Sequence, residues 1–134
     1  MDKLHDAYEQ TDYIIFADSK TFCIRPNKFN NDLNAFLEEK KINTWAILTA
    51  YNPKSVLKPD SENNKRQQVL INTVEQHGFS YILGENPPTD TWPVEKTIFI
   101  QNISLEEACK LGNKFKQNAL LFGTIHTLPA VIWV

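Results

Sequence analysis

From residue 44 onward, short β-rich apolar runs alternate with helical patterns, and this order restricts the fold more than any other feature of the chain. Residues 44–50 read as a buried strand. Asn52-Pro53 breaks it, because proline lacks a donor and disfavours helix in the residue before it. Pro59-Asp60-Ser61 opens a helix with Val69, Leu70 and Val74 as its apolar face, and His77-Gly78 closes it. Residues 79–83 form a second strand, residues 84–93 a loop dense in breakers, and residues 95–101 a third strand. Ser104 and Glu107 form a capping box that starts a second helix, and residues 118–122 form a fourth strand. Strand-helix-strand-strand-helix-strand predicts an α+β fold with a ferredoxin-like βαββαβ core. A short helix before residue 10, a β-hairpin over residues 13–24 and a helix over residues 31–41 capped by Asn30 precede that core. A C-terminal edge strand containing Pro129 follows it.

The 134 residues suit a single α/β domain spanning 1–134. Hydrophobic residues are 42% and charged residues 22%, which is globular rather than disordered composition. A net charge of -2 gives no general attraction to nucleic acid or anionic lipid, so neither a nucleic-acid nor a membrane partner is expected. Cys23 and Cys109 form no CxxC pair, and both read as buried small apolar groups. The three histidines have no metal-ligand spacing, and no glycine pattern for a phosphate loop or dinucleotide is present. Neither a metal nor a cofactor is therefore expected. The polar start and the lack of a long apolar stretch point to the cytoplasm.

Strand direction predicts where the polar residues gather. A strand-helix-strand crossover returns the chain parallel to itself. Residues 49–55, 84–85, 92–95 and 117–118 should therefore meet at one end of the sheet. Such a rim has the form of a ligand site, although loops are polar at both ends of any sheet.

The segments Thr49-Ala50-Tyr51-Asn52-Pro53-Lys54-Ser55, Glu62-Asn63, Gly84 with Trp92 and Glu95, and Phe115-Lys116-Gln117-Asn118-Ala119 together resemble an uncharacterised bacterial family, domain of unknown function 3293. The resemblance runs over nearly the whole chain. It departs at Lys116, where the family pattern favours glycine. It carries no activity, but it implies that the rim is the shared feature.

At that rim, Glu85 and Glu95 flank one loop. Two close carboxylates split their pKa values, which suits acid/base catalysis, whereas a lone glutamate at a loop end more often braces amides. Thr49, Asn52, Ser55, Gln117 and Asn118 offer donors and acceptors to a ligand, or simply form turns. Trp92 offers a stacking face or a plug over the sheet end. Asn63 and Arg66 lie one turn apart on a helix and face the same side, where they would fix the Asn52 loop or join the ligand set. Lys54, Lys58, Lys65 and Arg66 suit a phosphate, although a solvated basic face is the plainer reading. No histidine falls in the four segments, so a Ser-His-Asp arrangement has little support.

Two functions from different classes follow. In the first, the rim binds a small polar molecule such as a nucleotide or phosphate metabolite, with Glu95 or Glu85 as base. In the second, the protein is a non-catalytic interaction module, with the apolar ending Val131-Ile132-Trp133-Val134 meeting a partner or forming a homodimer.

Overall fold

A computed structural model describes residues 3–134. The fold is α+β, and every strand pairing is antiparallel. In chain order the elements are α1 (Lys3–Glu9), β1 (Tyr13–Ala17), β2 (Lys20–Ile24), α2 (Asn31–Lys40), β3 (Thr44–Leu48) and α3 (Asp60–Gln76). They continue as β4 (Tyr81–Asn86), β5 (Glu95–Gln101), α4 (Leu105–Lys114), β6 (Ala119–Thr124) and β7 (Ala130–Trp133). The strands make one seven-stranded sheet in the order β2-β1-β4-β5-β3-β6-β7. No helix among the described residues is long and apolar enough to cross a membrane.

Strand alternation divides the core in two. Ala46, Leu48, Ile98, Ile100 and Leu120 face α3 and α4 and pack on Leu70, Val74 and Ala108. Trp45, Ile47, Phe99 and Leu121 face the other way, and Leu33 and Leu37 of α2 cover them together with Phe22 and Ile24 of the hairpin. Gly123 lies opposite Trp45, and a Cβ there would stand 2.3 Å from the indole ring. The α2 face is thus covered at the Trp45 end, while the end where β3 finishes is left to α1 and the loop after β4.

The local signals behave as their chemistry requires. Asn30 Oδ1 accepts from Leu33 N at 2.9 Å, and the Ser104–Glu107 capping box is complete. Three expectations need correction. β4 starts two residues later than expected and runs on through Gly84, Glu85 and Asn86, because β5 pairs with all three and β1 adds a second partner to Gly84 and Glu85. Val69 is 52% exposed; the buried stripe of α3 instead runs Asn63, Gln67, Leu70, Val74. Cys23 is exposed because Phe22 and Ile24 take the inward face of β2, and alternation turns the residue between them outward.

Candidate functional site

Asn52 is the hub of the rim. It is 3% exposed and sits just after β3 with φ 45° and ψ 62°, in the left-handed region that asparagine tolerates better than most residues. Its Oδ1 accepts from Lys58 N and from Asn63 Nδ2, both at 2.9 Å. Its backbone N–H donates to Asn63 Oδ1 at 2.9 Å, and its Nδ2 donates to Glu95 Oε2 at 2.8 Å. One side chain therefore ties the end of β3, the start of α3 and the start of β5 together.

The other segments lock onto this hub. Gln117 Nε2 donates to Tyr51 O at 3.1 Å, and Asn118 Nδ2 donates to Ser55 Oγ at 2.8 Å. Thr49 Oγ1 donates to Lys96 O at 2.6 Å, and Lys54 N donates to Lys116 O at 2.7 Å. The local backbone is strained: besides Asn52, the residues Lys54, Ser55 and Lys116 have φ of 56°, 59° and 56°. Left-handed conformations in such residues cost of order 1–3 kcal/mol each and persist only where the surroundings impose them. Lys116 holds its positive φ at a turn where glycine would be unstrained.

Glu95 has the most unusual environment in the rim. Its Oε2 accepts from Asn52 Nδ2 and, at 3.1 Å, from Trp92 Nε1. No cation pairs with it among the described residues. Burial pushes its carboxyl above the ordinary range, and the two hydrogen bonds only partly oppose that. Glu95 lines a cleft of about 450 Å³, within the size range of small-molecule sites. The cleft floor is the sheet face that α2 leaves open, and its walls are α1 and residues 87–93.

Thr49, Asn52, Ser55, Trp92, Glu95 and Gln117 line the cleft, whereas Asn63, Arg66 and Asn118 stand behind it as braces. Arg66 donates from Nε to Ala50 O at 2.9 Å and from its guanidinium to Phe115 O at 2.8 Å. It holds the end of β3 against the end of α4, so both faces of the fork are occupied. Arg66→Met is expected to destabilise the fold by about 2–3 kcal/mol in urea unfolding, because two carbonyls lose a charged donor. Arg66→Lys should recover only part of that, since one ammonium does not reproduce the planar fork. A stable Arg66→Met variant would argue against this bracing role.

Glu85 does not join Glu95. Asn86 is directly opposite Glu95, and Glu85 is opposite Lys96, so the two glutamates project from opposite faces of the sheet. The expected carboxylate pair is therefore absent, because β4 continues as a strand where a loop was anticipated. The basic residues are also elsewhere: no Lys, Arg or His among the described residues lines the cleft, and the first turn of α3 carries Asp60 and Glu62.

Cleft residues that were not anticipated include four polar ones near Glu95 or Ser55. Tyr8 comes from α1, Tyr13 from β1, Asn86 from β4 and Thr97 from β5. The Tyr8 hydroxyl lies 3.4 Å from Ser55 Oγ. Burial pushes the phenols of Tyr8 and Tyr13 up, with the Glu95 charge adding to both. Thr97 Oγ1 and Asn86 Oδ1 are buried without a partner among the described residues. The polar pair Asn63 and Gln67 on the buried stripe of α3 was a usable signal for the braces; Gln67 Oε1 accepts from Ala50 N at 2.8 Å. For Tyr8 and Tyr13 no sequence signal existed, since nothing local says that the hairpin docks beside β4.

The family described as "Protein of unknown function (DUF3293)" matches residues 48–120, more than half of the chain. The chain belongs to this family. The match is narrower than the near-complete span expected from the motifs. It runs from the last residue of β3 into β6 and takes in all four converging segments. Tyr8 and Tyr13 lie outside the family segment and close the cleft from elements that precede it. No curated protein and no solved structure matched the chain.

Proposed function

We propose that the protein binds a small polar molecule in the cleft beside Glu95, and that Glu95 takes or gives a proton there. The observation carrying this reading is a half-buried carboxylate with two neutral donors, no cation among the described residues and an open cavity beside it. Desolvating a charge without pairing it is costly, and perturbed carboxyls of this kind concentrate at functional sites. The orphaned Thr97 Oγ1 and Asn86 Oδ1 on the same strand face add unmet hydrogen-bonding capacity. The stored strain at Asn52, Lys54, Ser55 and Lys116 is a third support. The scaffold beneath is read as ferredoxin-like, which the strand order β4-β5-β3-β6 supports, with α3 and α4 on one face.

Glu95→Gln tests the reading through stability as well as binding. A carboxyl whose folded pKa exceeds its unfolded value holds its proton more tightly when folded. Its stability contribution is complete below the ordinary value of 4.5 and is lost as pH rises through the raised folded value. The neutral glutamine avoids that loss. Glu95→Gln is expected to unfold at a higher temperature than wild type at neutral pH, with the difference vanishing at about pH 3. Any ligand-induced rise in Tm should shrink in the same variant. A Glu95→Gln protein less stable than wild type at neutral pH would make Glu95 an ordinary brace.

The reading as a non-catalytic interaction module has one observation in its favour. Phe16 and Leu83 are 48% and 56% exposed. They share a sheet face by alternation, since Ile14 and Glu85 are paired. Light scattering on wild type and Phe16→Ser would separate the two: a dimer that Phe16→Ser dissolves supports the module, and a monomer in both counts against self-association.

A further inference from the structure

We infer that the molecule held in this cleft carries a positively charged nitrogen, such as a primary ammonium or a guanidinium on a small carbon frame, and seats it against Glu95 and Asn86. The inference rests on the cleft being a binding site and names the class of molecule it takes. Three features of the lining argue for it together.

The first is charge. The lining contains two carboxylates, Asp12 and Glu95, and no basic side chain among the described residues. Asp12 is already neutralised by Arg25, whose Nε lies 2.9 Å from Asp12 Oδ1. Among the described residues, Glu95 is therefore the one unpaired charge lining the cavity. An anionic guest would meet that charge with no cation to offset it, and a neutral guest would leave it uncompensated in a half-buried position.

The second is the hydrogen-bond balance. Glu95 Oε2 takes both described donors, so Oε1 remains as an acceptor. Asn86, directly opposite Glu95 on the same strand face, has its Oδ1 unpartnered. Thr97 is 2% exposed on the same face, and its Oγ1 is also unpartnered. The carboxylate and the amide oxygen call for N–H donors, and an ammonium or guanidinium supplies several at once.

The third is the wall. Tyr8 of α1, Tyr13 of β1 and Trp92 of the loop after β4 line the same cavity. Aromatic faces around a carboxylate suit an organic cation, because the ring quadrupole attracts positive charge while the apolar surface covers the carbon frame. The same faces offer little to phosphate.

The test is isothermal titration calorimetry on the full chain with two sets of probes. Spermidine, agmatine and benzamidine are the cations. Inorganic phosphate, adenosine monophosphate and glucose are the anionic and neutral comparisons. The expected result is one-to-one binding of at least one cation, weakened about tenfold or more in Glu95→Gln. Asn86→Lys, which introduces an internal ammonium opposite Glu95, should abolish cation binding while leaving the protein folded by circular dichroism. If phosphate, the nucleotide or the sugar binds and no cation does, the cationic class is overturned while the binding cleft stands. If no probe of either set produces heat or perturbs the amide resonances of residues 86, 95 and 97, both the class and the cleft are overturned.

Discussion

Replacing Asn52 with alanine is expected to lower stability by about 3–4 kcal/mol, a fall in Tm of roughly 10–14 °C for a chain of 134 residues. The physical cause is not lost contact area. Lys58 N would lose its Oδ1 acceptor at a part-buried position, Asn63 Nδ2 would keep only the longer bond to Lys58 O at 3.2 Å, and Glu95 Oε2 would lose one of its two donors. Each orphaned buried group costs about 1–3 kcal/mol, and alanine tolerates the left-handed backbone at φ 45° less well than asparagine. Asn52→Asp separates these contributions. It keeps the acceptor for Lys58 and Asn63 but brings a second carboxylate to within hydrogen-bond distance of Glu95. Two adjacent carboxyls raise at least one folded pKa further, so Asn52→Asp should be close to wild type at low pH and lose stability as pH rises. Urea unfolding at several pH values reads both variants. An Asn52→Ala protein within about 1 kcal/mol of wild type would mean that the rim does not depend on this hub.

The second large effect is expected at Gly84. A Cβ there would stand 2.3 Å from Ile14 O and 3.0 Å from Thr97 Oγ1. The first of these is backbone, which has no rotamer to move away. β1 is joined to β4 at only two paired positions, Ile14 with Glu85 and Ile15 with Gly84, so displacing one strands much of that junction. Gly84→Ala should cost about 3 kcal/mol or more and shift the amide resonances of β1 and β2 well beyond those of α3 and α4. Because Tyr13 enters the cleft from β1, ligand binding should fall with the hairpin's attachment even though Gly84 makes no contact of its own. A Gly84→Ala protein with wild-type stability and an unaltered hairpin would contradict the close approach of β1 to β4.

How much of this was legible in the residues depends on the range of the interaction concerned. Caps and turns are local, so Asn30, Ser104 with Glu107, and His77-Gly78 announced their helix ends directly. Apolar runs located six of the seven strands closely; β4 was the exception, since its C-terminal half is polar and glycine-bearing and stays extended because β5 pairs with Gly84, Glu85 and Asn86 and β1 with Gly84 and Glu85. The register with β5 also decided the fate of Glu85. With residues 84–86 in a strand, period-two alternation sends Glu85 to the face opposite Glu95, and the anticipated carboxylate pair cannot form.

The convergence of Thr49, Asn52, Ser55, Trp92, Glu95 and Gln117 was determined by the sequence alone, because crossover helices force alternate strands to run the same way. Which of the rim residues face a cavity and which stand behind it was decided only by the tertiary structure. Asn63 and Arg66 share a helix side with each other, and no periodicity reveals that one meets Asn52 while the other meets two carbonyls. The cavity itself depends on α1 and β1 docking across more than 70 residues of chain separation, as Ile14 does on Glu85. A sequence records which residues prefer which local conformation. Which distant surfaces then exclude water together depends on shapes that exist only once the sheet has assembled.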